Sequence, residues 1–316
     1  MTVALITGVT GQDGSYLAER LVSEGVTVHG LVRSGDRTPP VPGVRSHLGD
    51  LADLDGLRRL VLEVAPTELY HLAGISSVAQ SWQEPEQTAL LSGVAVARLL
   101  ESALEVQRAH GAPVRFVHAS SAEIFGDPAT SPQDESTPIA PVNPYGAAKA
   151  YAQHMVRIAR DRGLHAAAGI LFNHESPRRP SSFVTRKITQ GAARIATEGA
   201  GMLTLGNLDA RRDWGWAPDY VDALVRLARH HEPIDAVVAT GELHSVRDFA
   251  VAALRRAGVP DPGSRLVSDP AFTRPADAAR MVGDATLART VLGWAPTRDF
   301  DAVVAAMVDH DLELLR

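Results

Sequence analysis

From Val3 to about Phe172 the chain alternates short β-branched runs with amphipathic stretches of helical period. The runs Val3–Thr7, Val26–Val32, Glu68–Leu72, Val114–Ala119 and Ala167–Phe172 predict strands, and Asp13–Ser23, Asp53–Val64, Glu84–Arg108 and Pro144–Arg160 predict the helices between them. Strand and helix in regular alternation imply crossover connections, hence a doubly wound parallel sheet with helices on both faces. After Phe172 the pattern changes. Asn173–Ser182 carries prolines and arginines without a period, and beyond it helices at Phe183–Ala196, Asp219–His230, Val246–Arg256 and Phe300–Leu314 mix with short strands. The expected organisation is a first unit over residues 1–172, to which part of 213–242 returns, and a smaller mixed α/β unit over 173–316. There is no internal repeat or low-complexity tract.

Composition narrows the function classes. With 316 residues and 45% apolar content, one large or two smaller cores can be buried. The absence of cysteine excludes disulfide frameworks, thiolate-ligated zinc, iron–sulfur clusters and cysteine nucleophiles, and fits a cytoplasmic setting. Met1–Ile6 lacks the basic region and cleavage site of a secretion signal, and no apolar run approaches the roughly 18 residues of a membrane span. A soluble protein with no membrane partner and no metal is expected. The net charge of −6, from 37 acidic and 31 basic residues, argues against a nucleic-acid partner. A small anionic ligand needs only a local cluster of positive charge. Lysine occurs only at Lys149 and Lys187, so two sites retain a compact ammonium in a chain that otherwise uses arginine.

The first predicted strand runs into Gly8-Val9-Thr10-Gly11-Gln12-Asp13-Gly14 and then a helix. Glycines three apart allow a tight turn, close approach of backbone to a pyrophosphate and close packing of helix on strand, with Gln12 and Asp13 at the helix start. This predicts a Rossmann-like dinucleotide site. Enzymes that use NAD usually carry an acid at the end of the second strand, and here Leu31-Val32-Arg33-Ser34 places Arg33, which favours the 2′-phosphate of NADP. Gly49-Asp50-Leu51 and His71-Leu72-Ala73-Gly74 close the third and fourth strands, where Asp50, Leu51, Leu72, Ala73 and Gly74 are placed to touch adenine and pyrophosphate.

The strand Val114–Ala119 ends in Ser120-Ser121-Ala122-Glu123, and Pro144-Tyr145-Gly146-Ala147-Ala148-Lys149 opens a helix. Tyrosine and lysine four apart share a helical face, so an ammonium there is expected to stabilise a phenolate and to lower the pKa of Tyr145 toward the working range. With these motifs the chain resembles the extended short-chain dehydrogenase/reductase family. Gly169 to Arg179, Phe183 to Ile188 and Leu205 to Gly215 narrow the resemblance to GDP-mannose 4,6-dehydratases over nearly the whole chain. The resemblance implies that the substrate's C4 hydride passes to NADP while Tyr145 removes the hydroxyl proton, Lys149 positions Tyr145 and the nicotinamide ribose, and Ser121 holds the oxygen. Glu123 then takes the acidified C5 proton as C6 loses water, and the hydride returns to C6 to give a 4-keto-6-deoxy sugar. It also implies cofactor contacts from His174 and Arg179, and contacts to a GDP-sugar from Asn173, Val184, Lys187, Gly206, Arg212, Arg274 and Asp277.

Four departures from the family pattern bear on the reading. Ser121 and Ala122 stand where the family has Thr and Ser, Ile75 and Gln87 replace residues near the cofactor, and Asp277 is one methylene shorter than the usual Glu. The stretch from Arg33 to Gly49 is short where the family has a loop reaching a neighbouring subunit's cofactor site, so a homodimer is expected rather than a loop-mediated tetramer. The same four catalytic residues also suit a C4 epimerase, or a dehydratase of a GDP-linked heptose or octose. A non-catalytic NADP-binding module on the same fold is a further alternative.

Overall fold

The computed structural model describes residues 2–36, 38, 41–272 and 280–316. Its first part forms β1 (Val3–Thr7), α1 (Gln12–Ser23), β2 (Thr27–Val32), β3 (Val44–Leu48), α2 (Leu54–Val64), β4 (Glu68–His71), α3 (Val78–Gln83), α4 (Pro85–Ala89), α5 (Ala95–His110), β5 (Arg115–Ser121), α6 (Pro144–Asp161) and β6 (His165–Leu171). The chain continues through β7 (Asn173–Glu175), α7 (Val184–Glu198), β8 (Leu203–Leu205), β9 (Arg211–Arg212), β10 (Trp214–Trp216), α8 (Ala217–Arg229), β11 (Asp235–Val238), β12 (His244–Ser245) and α9 (Val246–Arg256). It ends with β13 (Leu266–Ser268), β14 (Arg280–Met281), α10 (Thr286–Val291) and α11 (Phe300–Glu313).

Among the described residues the main sheet has seven parallel strands in the order β3-β2-β1-β4-β5-β6-β11. Successive side chains on these strands alternate between two cores. Ala4, Ile6, Val28, Tyr70 and Val117 pack with Leu17 and Leu21 of α1 and Tyr220 and Leu224 of α8. Leu5, Leu31, Leu69, Phe116 and Ala166 pack on the other face with Leu57 of α2, Leu99 of α5 and Val156 of α6. Both faces are therefore covered, which gives the Rossmann-like doubly wound fold, with its crevice at the carboxyl ends of the strands.

The structure gives extents, pairings and breaks that periodicity leaves open. β3 is an edge strand, largely exposed and with little apolar content, so it carries no buried pattern to read. α8 and β11 lie with the main sheet, β11 pairing beside β6 along Asp235–Val238. The helix expected over Glu84–Arg108 is interrupted by one wide π turn at Leu90–Val94. That turn brings the Ser92 hydroxyl to the backbone of Ile75, at 3.1 Å from its N and 3.2 Å from its O, and so fixes the loop after β4. Asn173–Glu175, expected to be irregular, forms β7 parallel to β10.

The second lobe packs α7, α9 and α11 around Ile188, Trp214, Phe249, Val304 and Met307. Its buried Asp213 accepts from the backbone N–H groups of Thr240 at 2.9 Å and Gly241 at 2.8 Å, fastening the lobe to the end of β11. No helix of the described residues is long and apolar enough to cross a membrane.

Candidate active site

A cavity of about 510 Å³ opens at the carboxyl ends of the parallel strands, between the sheet and the second lobe. Its volume lies in the range of small-molecule sites. The turn after β1 contributes Gly8 and Gly11, and the start of α1 contributes Gln12 and Asp13. Arg33 enters after β2, Asp50 and Leu51 after β3, and Leu72, Ala73 and Gly74 after β4. Gly14 stands behind this wall, where a Cβ atom would lie 2.0 Å from the Gly8 carbonyl oxygen, so only glycine lets α1 begin directly against the turn. Gly11 caps α1 without any side-chain hydrogen bond, which leaves the first N–H groups of that helix to an external acceptor. Bare backbone donors beside a turn that excludes side chains fit the pyrophosphate of a dinucleotide.

The strongly helical sequence from Pro144 to Asp161 starts with Asn143 as N-cap and proline in the first turn. This start delivers the catalytic candidates. Asn143 Oδ1 accepts from the Gly146 N–H at 2.8 Å, while its Nδ2 donates to Glu123 Oε2 at 2.8 Å. Glu123, half-buried, belongs to the 3₁₀ turn Ala122–Phe125 and lines the cavity. A Cβ at Gly146 would sit 2.4 Å from the Glu123 carbonyl oxygen, so this glycine lets the turn and α6 lie in contact. One turn along, the buried Lys149 Nζ donates to the Ala119 carbonyl at 2.7 Å and lies 5.9 Å from the centre of the Tyr145 ring. Ser121 accepts from the Glu123 N–H at 3.3 Å and hydrogen-bonds the Tyr145 phenol.

Burial dominates the acid–base behaviour of this pair. It pushes Tyr145 up to about 12, against the hydrogen bond from Ser121, and drives Lys149 down to about 8, against the pull of Asp13. The expectation that Lys149 lowers the pKa of Tyr145 is thus corrected. The phenol is desolvated more than it is stabilised, and the ammonium is engaged with a backbone carbonyl.

On the opposite wall His174 places both ring nitrogens against acceptors. Nδ1 lies 2.7 Å from the Phe172 carbonyl and Nε2 lies 2.9 Å from Asp13 Oδ2. Only an imidazolium can donate to both. Burial opposes the charge, but the Asp13 carboxylate outweighs it and raises His174, while His174 in turn holds Asp13 below the usual carboxylate range despite its burial. Gln12 Nε2 donates to the His174 carbonyl at 3.1 Å, and Gln12 Oε1 accepts from Ser176 at 2.8 Å, so the glycine loop and the second lobe are tied together. The buried Glu175, raised by desolvation against the pull of Arg179, pairs with Arg179 Nε at 3.2 Å and accepts from Thr185 at 2.6 Å.

Asn173 and Val184 also line the cavity, so it gathers every candidate cofactor residue except Gly14, all four catalytic candidates and two of the substrate candidates. Lys187 lies exposed on α7, Arg212 lies buried on β9 with Nη1 donating to the Arg211 carbonyl at 2.8 Å, and the Gly206 carbonyl accepts from Ser268 at 2.9 Å. These three are not among the cavity walls. Arg274 and Asp277 lie outside the described residues. Sequence reading missed Asn143, Glu175 and Asp36. The Asn143-Pro144 pair is a readable helix-start signal, and Glu175 adjoins a string already singled out. Asp36, which accepts from Thr10 at 2.6 Å in the same wall as Arg33, sits in a stretch without periodicity.

A family model described as GDP-mannose 4,6 dehydratase matches residues 5–307. The human GDP-mannose 4,6 dehydratase is 41% identical over 345 residues, covering 99% of this chain and 92% of that protein. Among solved structures, a Thermus thermophilus UDP-glucose 4-epimerase in complex with NAD superposes with a TM-score of 0.85 at 27% identity, over 98% of this chain and 99% of that one. A Thermotoga maritima UDP-glucose 4-epimerase gives 0.90 at 22% identity over 100% of both chains, a likeness of fold.

Proposed function

Because the chain belongs to the GDP-mannose 4,6 dehydratase family, we propose that it removes water from the mannose of GDP-mannose to give the 4-keto-6-deoxy sugar, with NADP as its cofactor. The observation that carries this reading is the convergence of a phenol, a hydroxyl and a carboxylate, from Tyr145, Ser121 and Glu123, on one cavity. A Glu123 carboxylate directed away from the cavity would have left only oxidation and reduction at C4. The cofactor is a nicotinamide dinucleotide, which when bound would accept the hydride from C4 and give it back at C6 once water has left.

The chain's own residues handle the protons. Tyr145 takes the C4 hydroxyl proton, with the Ser121 hydroxyl holding the same oxygen and Lys149 behind the phenol. The resulting ketone acidifies the C5 proton. Glu123, oriented by Asn143, takes that proton and gives it to the departing C6 hydroxyl, which leaves as water. The proton held by Tyr145 is then available to C5, and both groups return to their starting states.

Arg33 supports NADP over NAD, since a guanidinium suits the 2′-phosphate and no acid ends β2. The nucleotide end of the substrate extends past Asn173 and Val184 toward Lys187, Gly206 and Arg212, with Arg274 and Asp277 completing its contacts. On the same reading residues 1–172 with part of 213–242 form the dinucleotide unit and the rest the nucleotide-sugar unit. The short Arg33–Gly49 connection leaves a homodimer, working in the cytoplasm, and a solution mass for a tetramer would contradict this.

The test is incubation of the purified protein with GDP-mannose and NADP. A product lighter by one water is expected, whereas a product of unchanged mass would replace the reading with epimerisation. For the cofactor, Arg33→Ser is expected to weaken NADP binding by roughly 10- to 100-fold, as for one lost hydrogen bond to a charged group, and to leave NAD binding unchanged.

A further inference from the structure

Thr7, His71 and His118 form one row across β1, β4 and β5, in register with each other, and Ser120 follows two residues beyond His118 on the same face. This face is covered by α5 and α6. Gln153 stands on α6 one turn beyond Lys149 and therefore on the same side of the helix. His71, His118 and Gln153 are wholly buried, and Ser120 is 4% exposed. The two imidazoles stack with centroids 5.5 Å apart and planes 14° from parallel. His71 Nδ1 meets the Thr7 hydroxyl at 2.7 Å.

The remaining polar atoms of this layer are not used within the protein. Among the described residues, His71 Nε2, both ring nitrogens of His118, Ser120 Oγ and both amide atoms of Gln153 have no protein hydrogen-bond partner. Buried polar groups are almost always bonded, to protein or to ordered water, and a polar pocket that offers several donors and acceptors is where internal water is held. The layer also adjoins the catalytic lysine. Lys149 donates one of its three N–H groups to the carbonyl of Ala119, the residue preceding Ser120, and its charge is felt at both histidines.

We propose that His71, His118, Ser120 and Gln153 form an internal water site behind Lys149, in which ordered water bridges these side chains to the ammonium and keeps it protonated beside Tyr145. They are positioning residues that act through Lys149, and the proposal rests on the catalytic role of Tyr145 and Lys149 given above. Burial drives His71 to about 3 and His118 well below its ordinary range, so both stay neutral and each offers one donor and one acceptor. The other charged groups around Lys149 are few. Asp13 faces it from α1 but is committed to His174, and Glu123 and Arg179 act on Tyr145, the titratable neighbour on α6 itself. Neutral, water-linked acceptors thus solvate a buried cation without competing for its proton.

With only two lysines in the chain, isotope-labelled lysine yields two side-chain NMR signals, and Lys187→Arg identifies the one from Lys149. The Lys149 midpoint is expected to fall by about one pH unit or more in Gln153→Met and in His118→Leu, the size of one lost hydrogen bond to a charged group. His118→Gln, which keeps a neutral donor and acceptor, is expected to restore it. The basic limb of the kcat/KM profile should move with the midpoint while KM for GDP-mannose stays constant. A folded Gln153→Met protein with an unchanged or raised Lys149 midpoint overturns the proposal. Because the titration is read without substrate, this outcome is separate from any failure of the protein to dehydrate GDP-mannose.

Discussion

The phenol of Tyr145 and the carboxylate of Glu123 reach the same cavity from either side of one helix start, and they are prepared for proton transfer by different means. Tyr145 and its partner Lys149 are buried, 8% and 6% exposed, and desolvation moves both of them toward their neutral forms. Glu123 is half-buried, and a single neutral donor, the Asn143 amide, fixes its direction at 2.8 Å. One arm is tuned by the medium around it, whereas the other is aimed by a hydrogen bond. The arm with the shifted groups should therefore govern how the enzyme responds to pH, and the arm with the aimed group should govern which bond breaks.

The sharpest separation comes from removing each proton carrier. Tyr145→Phe and Glu123→Gln are each expected to slow water loss by on the order of 10² to 10⁴, the usual worth of a positioned acid or base. They should differ before that step. Glu123→Gln should still accumulate the reduced nicotinamide, seen by its absorbance on mixing with GDP-mannose, because C4 oxidation needs only the Tyr145 arm. Tyr145→Phe should show no such signal. If both variants show it, or neither does, the division of labour between the arms is wrong.

The next effect concerns Lys149 and has opposite signs for activity and stability. In the folded chain burial brings its pKa from the ordinary lysine value of 10.5 down to about 8. The charged form that supports Tyr145 is lost as pH rises through about 8, so kcat/KM should fall on that limb. Between about 8 and 10.5 the unfolded chain binds a proton that the folded chain has released, and stability rises with pH wherever the unfolded state binds more protons. Urea denaturation across this window should show the wild type gaining about 3 kcal/mol relative to Lys149→Met, because a tenfold change in proton affinity is worth about 1.4 kcal/mol. A wild type whose stability relative to Lys149→Met stays flat from a pH of about 8 to 10.5 would mean that the lysine is not desolvated.

The two arms also differ in how far the sequence exposes them. The glycine loop, the Tyr145–Lys149 spacing and the alternation of strand and helix are local patterns, and each is legible because a periodic element repeats its own constraint. The sheet itself is readable where a strand buried on both faces has a continuous apolar run, as in Val3–Thr7. β3 is not, because an exposed edge strand needs no apolar pattern. The imidazolium of His174 and the depressed Lys149 depend on Asp13 and on packing from elements far along the chain, and no local spacing encodes them. Burial also reverses the simple expectation for Tyr145: the spacing places the ammonium in reach of the phenol, but only the three-dimensional packing shows how much solvent both have lost.

The smallest effect tests whether Glu123 is truly set by aim. Asn143 has two separable roles, since its Oδ1 caps α6 through the Gly146 N–H while its Nδ2 holds Glu123. Asn143→Ala removes both roles, and loss of the cap is expected to cost about 1 kcal/mol of stability in urea denaturation. Asn143→Asp keeps an oxygen for the cap and so should unfold close to the wild type, but it turns a second carboxylate toward Glu123 in place of the amide donor. Repulsion between like charges should then turn the Glu123 carboxylate out of its aim and slow water elimination, while C4 oxidation by the Tyr145 arm is spared. If Asn143→Asp instead slows C4 oxidation and water loss equally at every pH, Asn143 serves the helix start as a whole and the two arms are not independently prepared.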